Sequence, residues 1–259
     1  MPGRTGMMGR SVRVGSREVS GAAPAICVPV ASPMRAEVLA QAQAAAAHPG
    51  VDIIEWRVDY DPTYADADAM VALGNDVRRA IGGTALLATV RTTGEDGRAD
   101  LDAAKYCALL GSLCAAPIDA LDVELTSGQR AATLMRRAAA RGITTVVSLH
   151  DWEGTMSGDD LADALVRMEQ SGADIVKIAA MVPDAASAME FLGVVADYVA
   201  RPQAKPLIAA PMGPSGAVAR LMAIELGAAG TFAALSEVTA PGQMNVGVVA
   251  SVLQAMGRR

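Results

Sequence analysis

Eight short runs of β-branched and aliphatic residues recur along this chain at intervals of about 30 residues, each followed by a stretch with helical patterning. The runs span residues 25–30, 51–57, 84–91, 120–124, 144–150, 175–180, 206–211 and 230–234. The helical stretches span 34–47, 68–81, 101–115, 129–141, 159–171, 184–200, 217–226 and 246–256, with 68–81 the least regular. Strands joined by helices run parallel, and a parallel sheet needs both faces covered; eight such units satisfy this by closing into a (β/α)8 barrel. Gly50, Gly142, Gly172 and Gly227 fall between a helix and the next strand, where a left-handed residue ends a helix. An open doubly wound sheet is the rival arrangement, but no glycine-rich nucleotide loop follows the first run. Ahead of that run, residues 12–19 alternate around Gly15-Ser16, which predicts a β-hairpin placed to close the bottom of the barrel. We expect one barrel domain over residues 1–259, with 1–24 as an N-terminal extension and hairpin.

Composition narrows the function. Apolar residues make up 52% and aromatics only 3%, so the core is built from Ala, Val, Leu, Ile and Met. A net charge of −6 without any dense Lys/Arg cluster argues against nucleic acid or anionic membranes as partners. Cys27, Cys107 and Cys114 are odd in number and sit among apolar residues; they read as reduced thiols of a cytoplasmic protein, not as a disulfide framework or metal site. No apolar stretch approaches membrane-spanning length, and residues 25–30 read better as a strand than as part of a signal peptide.

The polar residues at the ends of the runs carry the chemistry. Glu55 and Arg57 close the second run, and their period-two spacing puts them on one face. Arg91 closes the third, with Glu95 four residues beyond in a loop containing Gly94. Asp122 and Glu124 are on the fourth, His150 ends the fifth and Lys177 is on the sixth. Arg220 lies in the helix after Met212-Gly213-Pro214-Ser215-Gly216. In a barrel these ends converge on one mouth. Rim salt bridges explain any single pair, but not polar residues on consecutive strands. Every neighbour of Lys177 within two positions is apolar, so burial would disfavour its ammonium and free a nucleophilic amine for carbonyls. A strand lysine reaching to the rim is the alternative. His48 reads as a helix-end residue, Ser148 lacks a nucleophile elbow, and Cys107 and Cys114, a heptad apart, read as a packed face.

Several motifs in order give the chain a resemblance to type I 3-dehydroquinate dehydratase over nearly its whole length. They are Glu55-Trp56-Arg57-Val58-Asp59, Arg91-Thr92 with Glu95, Ser148-Leu149-His150-Asp151, Asp174-Ile175-Val176-Lys177-Ile178-Ala179, Met212-Gly213 with Gly216 and Arg220, and Thr231-Phe232-Ala233 followed by Ala240-Pro241-Gly242-Gln243. The resemblance implies a cytoplasmic homodimeric barrel that dehydrates 3-dehydroquinate to 3-dehydroshikimate, a step of the shikimate pathway, without metal or organic cofactor. It implies that Lys177 forms a Schiff base with the ketone, that His150 is the general acid and base, and that Glu95 orients His150. Arg220 would pair with the substrate carboxylate, and Glu55, Arg57 and Arg91 would contact ring hydroxyls or position the ring. Gln243 would close over the ligand in a lid whose mobility Gly242 supplies. Thr239 stands where serine is common, Trp152 and Met156 where phenylalanine and proline are, and Ala219 replaces a serine; none of these removes a reacting group.

Two other readings compete. A lysine-dependent aldolase acting on a phosphorylated sugar would need an anion-binding glycine loop, for which residues 212–216 are the weak candidate. A silent barrel sensing quinate-like ligands would have no need for both Lys177 and His150.

Overall fold

The computed structural model describes residues 10–236 and 238–259, so residues 1–9 of the expected N-terminal extension lie outside the described residues. A hairpin of β1 (Val12–Val14) and β2 (Arg17–Val19) precedes eight strand–helix units. These are β3 (Ala25–Val30) and α1 (Arg35–Ala47), β4 (Ile53–Arg57) and α2 (Ala67–Ile81), β5 (Ala85–Thr89) and α3 (Ala103–Leu113), and β6 (Ala120–Glu124) and α4 (Gln129–Ala139). Then follow β7 (Thr144–Asp151) and α5 (Gly158–Gln170), β8 (Ile175–Met181) and α6 (Ala185–Val199), β9 (Leu207–Met212) and α7 (Gly216–Leu226), and β10 (Gly230–Phe232) and α8 (Val246–Ala255). Strands β3 to β10 pair in parallel with their sequence neighbours, and β10 returns to β3, closing the (β/α)8 barrel.

The two-residue period sorts each strand into an outward and an inward set. Outward residues such as Ile54, Trp56, Leu86, Leu121, Val147 and Ile178 pack with the helices into one core. Trp56 is wholly buried, and Gly74 in α2 makes room for it: a Cβ there would lie 3.1 Å from the indole and 2.9 Å from Ala116. Filling that space with the ring outweighs the cost of about 1 kcal/mol for a mid-helix glycine.

The inward set changes character with height. Its lower layer, from Cys27, Ile53, Leu87, Ala120, Val146, Ile175 and Ile208, is hydrocarbon. Two residues further along the strands come Glu55, Thr89, Asp122, Ser148 and Lys177, all buried. The hairpin seals the lower layer, with Val14 and Val19 packed into it and Thr144 Oγ1 donating to the Arg13 carbonyl at 2.7 Å. Charged groups therefore lie above a dry floor.

Two local expectations need correction. The helix expected to be least regular, α2, is fully formed. Asp66 caps it by accepting from the Ala69 N–H at 3.0 Å, and Met70, Leu73, Val77 and Ile81 form its buried stripe; Asp68 and Asn75, which blur the pattern, are exposed. Gly142, Gly172 and Gly227 have positive φ as helix ends require, but Gly50 does not. α1 ends at His48, and Gly50 donates to His48 Nδ1 at 3.0 Å. A side chain at Gly50 would meet the imidazole and Ala250, so packing is what calls for glycine there.

Candidate active site

Above the hydrocarbon floor lies a cavity, and all nine residues expected at the site line it: Glu55, Arg57, Arg91, Glu95, His150, Lys177, Arg220, Thr239 and Gln243. Strand geometry does most of this. Glu55, Lys177 and His150 are the upper inward residues of β4, β8 and β7, and backbone pairing places Ser148 opposite Lys177. Glu95 comes from a 3-10 turn, Thr93–Glu95, after β5. The turn is held tightly: a Cβ on Gly97 would lie 2.1 Å from the Arg91 carbonyl oxygen, and Trp152 Nε1 donates to the Glu95 carbonyl at 3.0 Å.

Lys177 is 4% exposed, but its surroundings are not the apolar wall its sequence neighbours suggest. Nζ lies 3.4 Å from Glu55 Oε1, 3.7 Å from Asp122 Oδ2 and 4.3 Å from the centre of the Phe232 ring. Two carboxylates and an aromatic face therefore surround the nitrogen. These partners come from across the barrel, whereas the apolar side chains next to Lys177 in sequence point outward or sit one layer away.

His150 Nδ1 lies 2.8 Å from Glu95 Oε2. Burial, aided by Arg91, Lys177 and Arg57, holds the imidazole well below its ordinary value, so it is neutral at pH 7. Burial raises Glu95 to about 8 against the pull of Arg91. Glu95 thus holds the ring through Nδ1, and the second imidazole nitrogen is left for a ligand. An imidazole so placed can accept a proton and return it.

Arg91 lines the cavity and also binds protein acceptors. Its Nη1 lies 3.0 Å from Glu95 Oε2 and 3.1 Å from Glu124 Oε1, and Nη2 donates to Asp122 Oδ1 at 2.9 Å. Its donors are committed to protein carboxylates, which outweigh burial and keep it charged. Glu55 and Arg57 share a face as expected but do not pair: Arg57 forks onto Asp59 at 2.9 and 2.8 Å, and Glu55 accepts from Thr89 Oγ1 at 3.0 Å.

Arg220 is different. Wholly buried on α7, it donates only to backbone carbonyls: Pro211 at 2.9 Å, Pro241 at 3.2 Å and Phe232 at 3.5 Å. Burial lowers it to about 10, with no carboxylate to offset the effect. A guanidinium fork at the cavity wall with no anionic partner among the described residues has the geometry to receive an anion. In the loop above, Thr239 N–H donates to Gln243 Oε1 at 2.9 Å, and Gln243 Nε2 donates to Thr239 Oγ1 at 3.0 Å. The threonine methyl does not prevent that pairing. Gly242 holds φ of +83° with its backbone close to Ala217 and Gly213, a turn and a close approach that both call for glycine.

Sequence reading placed Asp122 among the polar residues of the fourth run, and Phe232 and Trp152 within motifs, but gave none of them a role. Asp122 and Phe232 meet Lys177 across the barrel, and Trp152 supports the Glu95 turn. The glycines of the loop that an aldolase would use for phosphate are called for by close packing. Cβ positions at Gly213 and Gly216 would fall 2.7 Å from Met181 Sδ and 2.6 Å from the Pro211 carbonyl oxygen.

Comparisons with known proteins agree with this geometry. The sequence model of type I 3-dehydroquinase matches residues 26–259. A 3-dehydroquinate dehydratase of Enterococcus faecalis is 32% identical over 95% of this chain and 95% of its own length. The crystal structure of 3-dehydroquinate dehydratase from Geobacillus kaustophilus superposes with a TM-score of 0.90 at 31% identity, covering 97% of this chain and 99% of that one. A type I 3-dehydroquinate dehydratase from Clostridium difficile, solved with covalent modified comenic acid, gives a TM-score of 0.90 at 27% identity over 96% of this chain and 98% of that one. With its barrel closed, its charged upper layer above a dry floor and its length matched end to end, this chain belongs to the type I 3-dehydroquinase family.

Proposed function

We propose that this enzyme dehydrates 3-dehydroquinate to 3-dehydroshikimate through an imine on Lys177. The observation that carries the reading is Lys177 and His150 opening into one cavity whose wall holds the anion receptor Arg220. The substrate carboxylate docks on Arg220, which orients the ring and brings its ketone to Lys177 Nζ. The amine adds to the carbonyl and water departs. The resulting cationic C=N bond draws electrons from the adjacent carbon and acidifies its C–H. His150, neutral and steadied by Glu95, removes that proton and then protonates the departing hydroxyl, so one group serves as base and then acid. Glu55 and Arg57 face the ring hydroxyls, and Thr239 and Gln243 cap the ligand.

The same proposal includes one domain throughout, a cytoplasmic setting and a homodimer. Among the described residues no helix is long and apolar enough to cross a membrane. Met189 on α6 and Val218 and Met222 on α7 stay exposed at 68%, 69% and 46%, an apolar face suited to a second copy. The test of the chemistry is intact mass after incubation with 3-dehydroquinate and borohydride, beside Lys177→Ala. A reduced adduct on wild type alone is expected. A wild type that stays unmodified would overturn the imine, and an adduct on both proteins would move it from Lys177.

A further inference from the structure

Asp122 does none of the steps just described, yet the barrel is built around it. It is 0% exposed on β6 and does not line the cavity, so no substrate touches it. Its Oδ1 accepts from Arg91 Nη2 at 2.9 Å and from Ser148 Oγ at 2.7 Å. Its Oδ2 accepts no hydrogen bond among the described residues and lies 3.7 Å from Lys177 Nζ. A buried carboxylate oxygen without a donor is costly, and here it faces the reacting nitrogen. Glu55 also flanks Lys177 but lines the cavity and is open to substrate. Arg91 and Ser148 fix the Asp122 carboxylate so that it cannot turn away.

We propose that Asp122 is a positioning residue acting through Lys177, the fixed counter-ion of the protonated imine. The inference rests on the imine reading above. In that step the lysine amine, the ketone and one proton from solvent give the iminium and water. The C=O bond breaks, a C=N bond forms, and the oxygen leaves as water with one proton from nitrogen and the one from solvent. A positive charge is thereby created beside Asp122. A carboxylate already held in place needs no reorganisation as the charge spreads onto the C=N bond, which is where fixed charges are most effective.

The test compares wild type, Asp122→Asn and Ser148→Ala. Ser148→Ala removes a hydrogen bond to Oδ1 but leaves the charge at Oδ2. Two quantities are measured: binding of quinate, which has the carboxylate and hydroxyls but no ketone, and the rate of forming a borohydride-reducible adduct with 3-dehydroquinate. Asp122→Asn is expected to bind quinate within about threefold of wild type while adduct formation slows by about 10²-fold. Ser148→Ala keeps the charge but loosens one of the two groups that hold it, so it should slow adduct formation far less than Asp122→Asn; an equal or larger loss would overturn the proposal. Unchanged adduct formation in Asp122→Asn, or quinate binding lost in parallel with it, would overturn the proposal; a wild type that forms no adduct would instead overturn the imine itself. Should Asp122→Asn not fold, infrared difference spectra of wild type labelled at the aspartate carboxyl carbon decide the matter. Asp122 is expected to stay ionised when the adduct forms, and a new protonated-carboxyl band would overturn its role.

Discussion

Replacing Arg220 with methionine removes the anion receptor while keeping much of its volume. The guanidinium is 2% exposed, and its fall from 12.5 to about 10 corresponds to roughly 3 kcal/mol against the charged form. The fold bears that cost before any ligand arrives. A carboxylate about 4 Å from the charge then interacts with it at roughly 4 kcal/mol for an effective dielectric near 20. Arg220→Met is therefore expected to lower kcat/KM by about 3–4 kcal/mol, or roughly 10²–10³-fold. In the free protein, relief of the buried charge offsets the loss of donors to the Pro211, Phe232 and Pro241 carbonyls, so Tm should move by only a few degrees. The assay is kcat/KM for 3-dehydroquinate and for an analogue without the ring carboxylate, on both proteins. Wild type should prefer the natural substrate by the factor the variant loses, and the variant should treat the two nearly alike. A variant that still favours the carboxylate by more than about tenfold would refute the assignment.

Three further outcomes follow from the same geometry. Glu95 is raised to about 8, so the stability it contributes is present below its unfolded value and lost as pH rises through about 8. Urea unfolding should show wild type losing a few kcal/mol relative to Glu95→Gln between about pH 5 and 9, and a constant difference would count against the raised value. Gly97→Ala places a Cβ against the Arg91 carbonyl and should displace the Glu95 turn, lowering Tm by roughly 10 °C and abolishing most activity; a thermal melt checks it. Trp152→Phe loses the bond to the Glu95 carbonyl and should cut kcat by about fivefold; it should also abolish ligand-dependent fluorescence, since Trp56 is buried away from the cavity.

Much of this site is legible in the sequence because a strand of period two makes an inward polar residue conspicuous. Lys177 in an apolar run, His150 at the end of another, and Glu55 with Arg57 on one face announce a mouth before any coordinates are known. Their partners do not announce themselves. Lys177 and Glu55 are 122 residues apart, and their contact follows from barrel closure, to which no local pattern refers. Nothing around Arg91 in the sequence shows that Asp122, Glu95 and Glu124 converge on it. Gly97 reads as an ordinary loop glycine, and only the Arg91 carbonyl against it reveals that no side chain fits. Helix α2 was obscured by Asp68 and Asn75, which the fold turns to solvent.

The hairpin plug also governs the traffic of water. With Val14 and Val19 sealing the floor, whatever enters or leaves the cavity must pass the upper mouth and the Thr239–Gln243 loop. In the proposed imine chemistry, the water expelled on condensation and the one drawn in to release the product would travel by the path the ligand uses. The enzyme works as a vessel with one opening, so product must depart before the next substrate enters and should inhibit by occupying the same place.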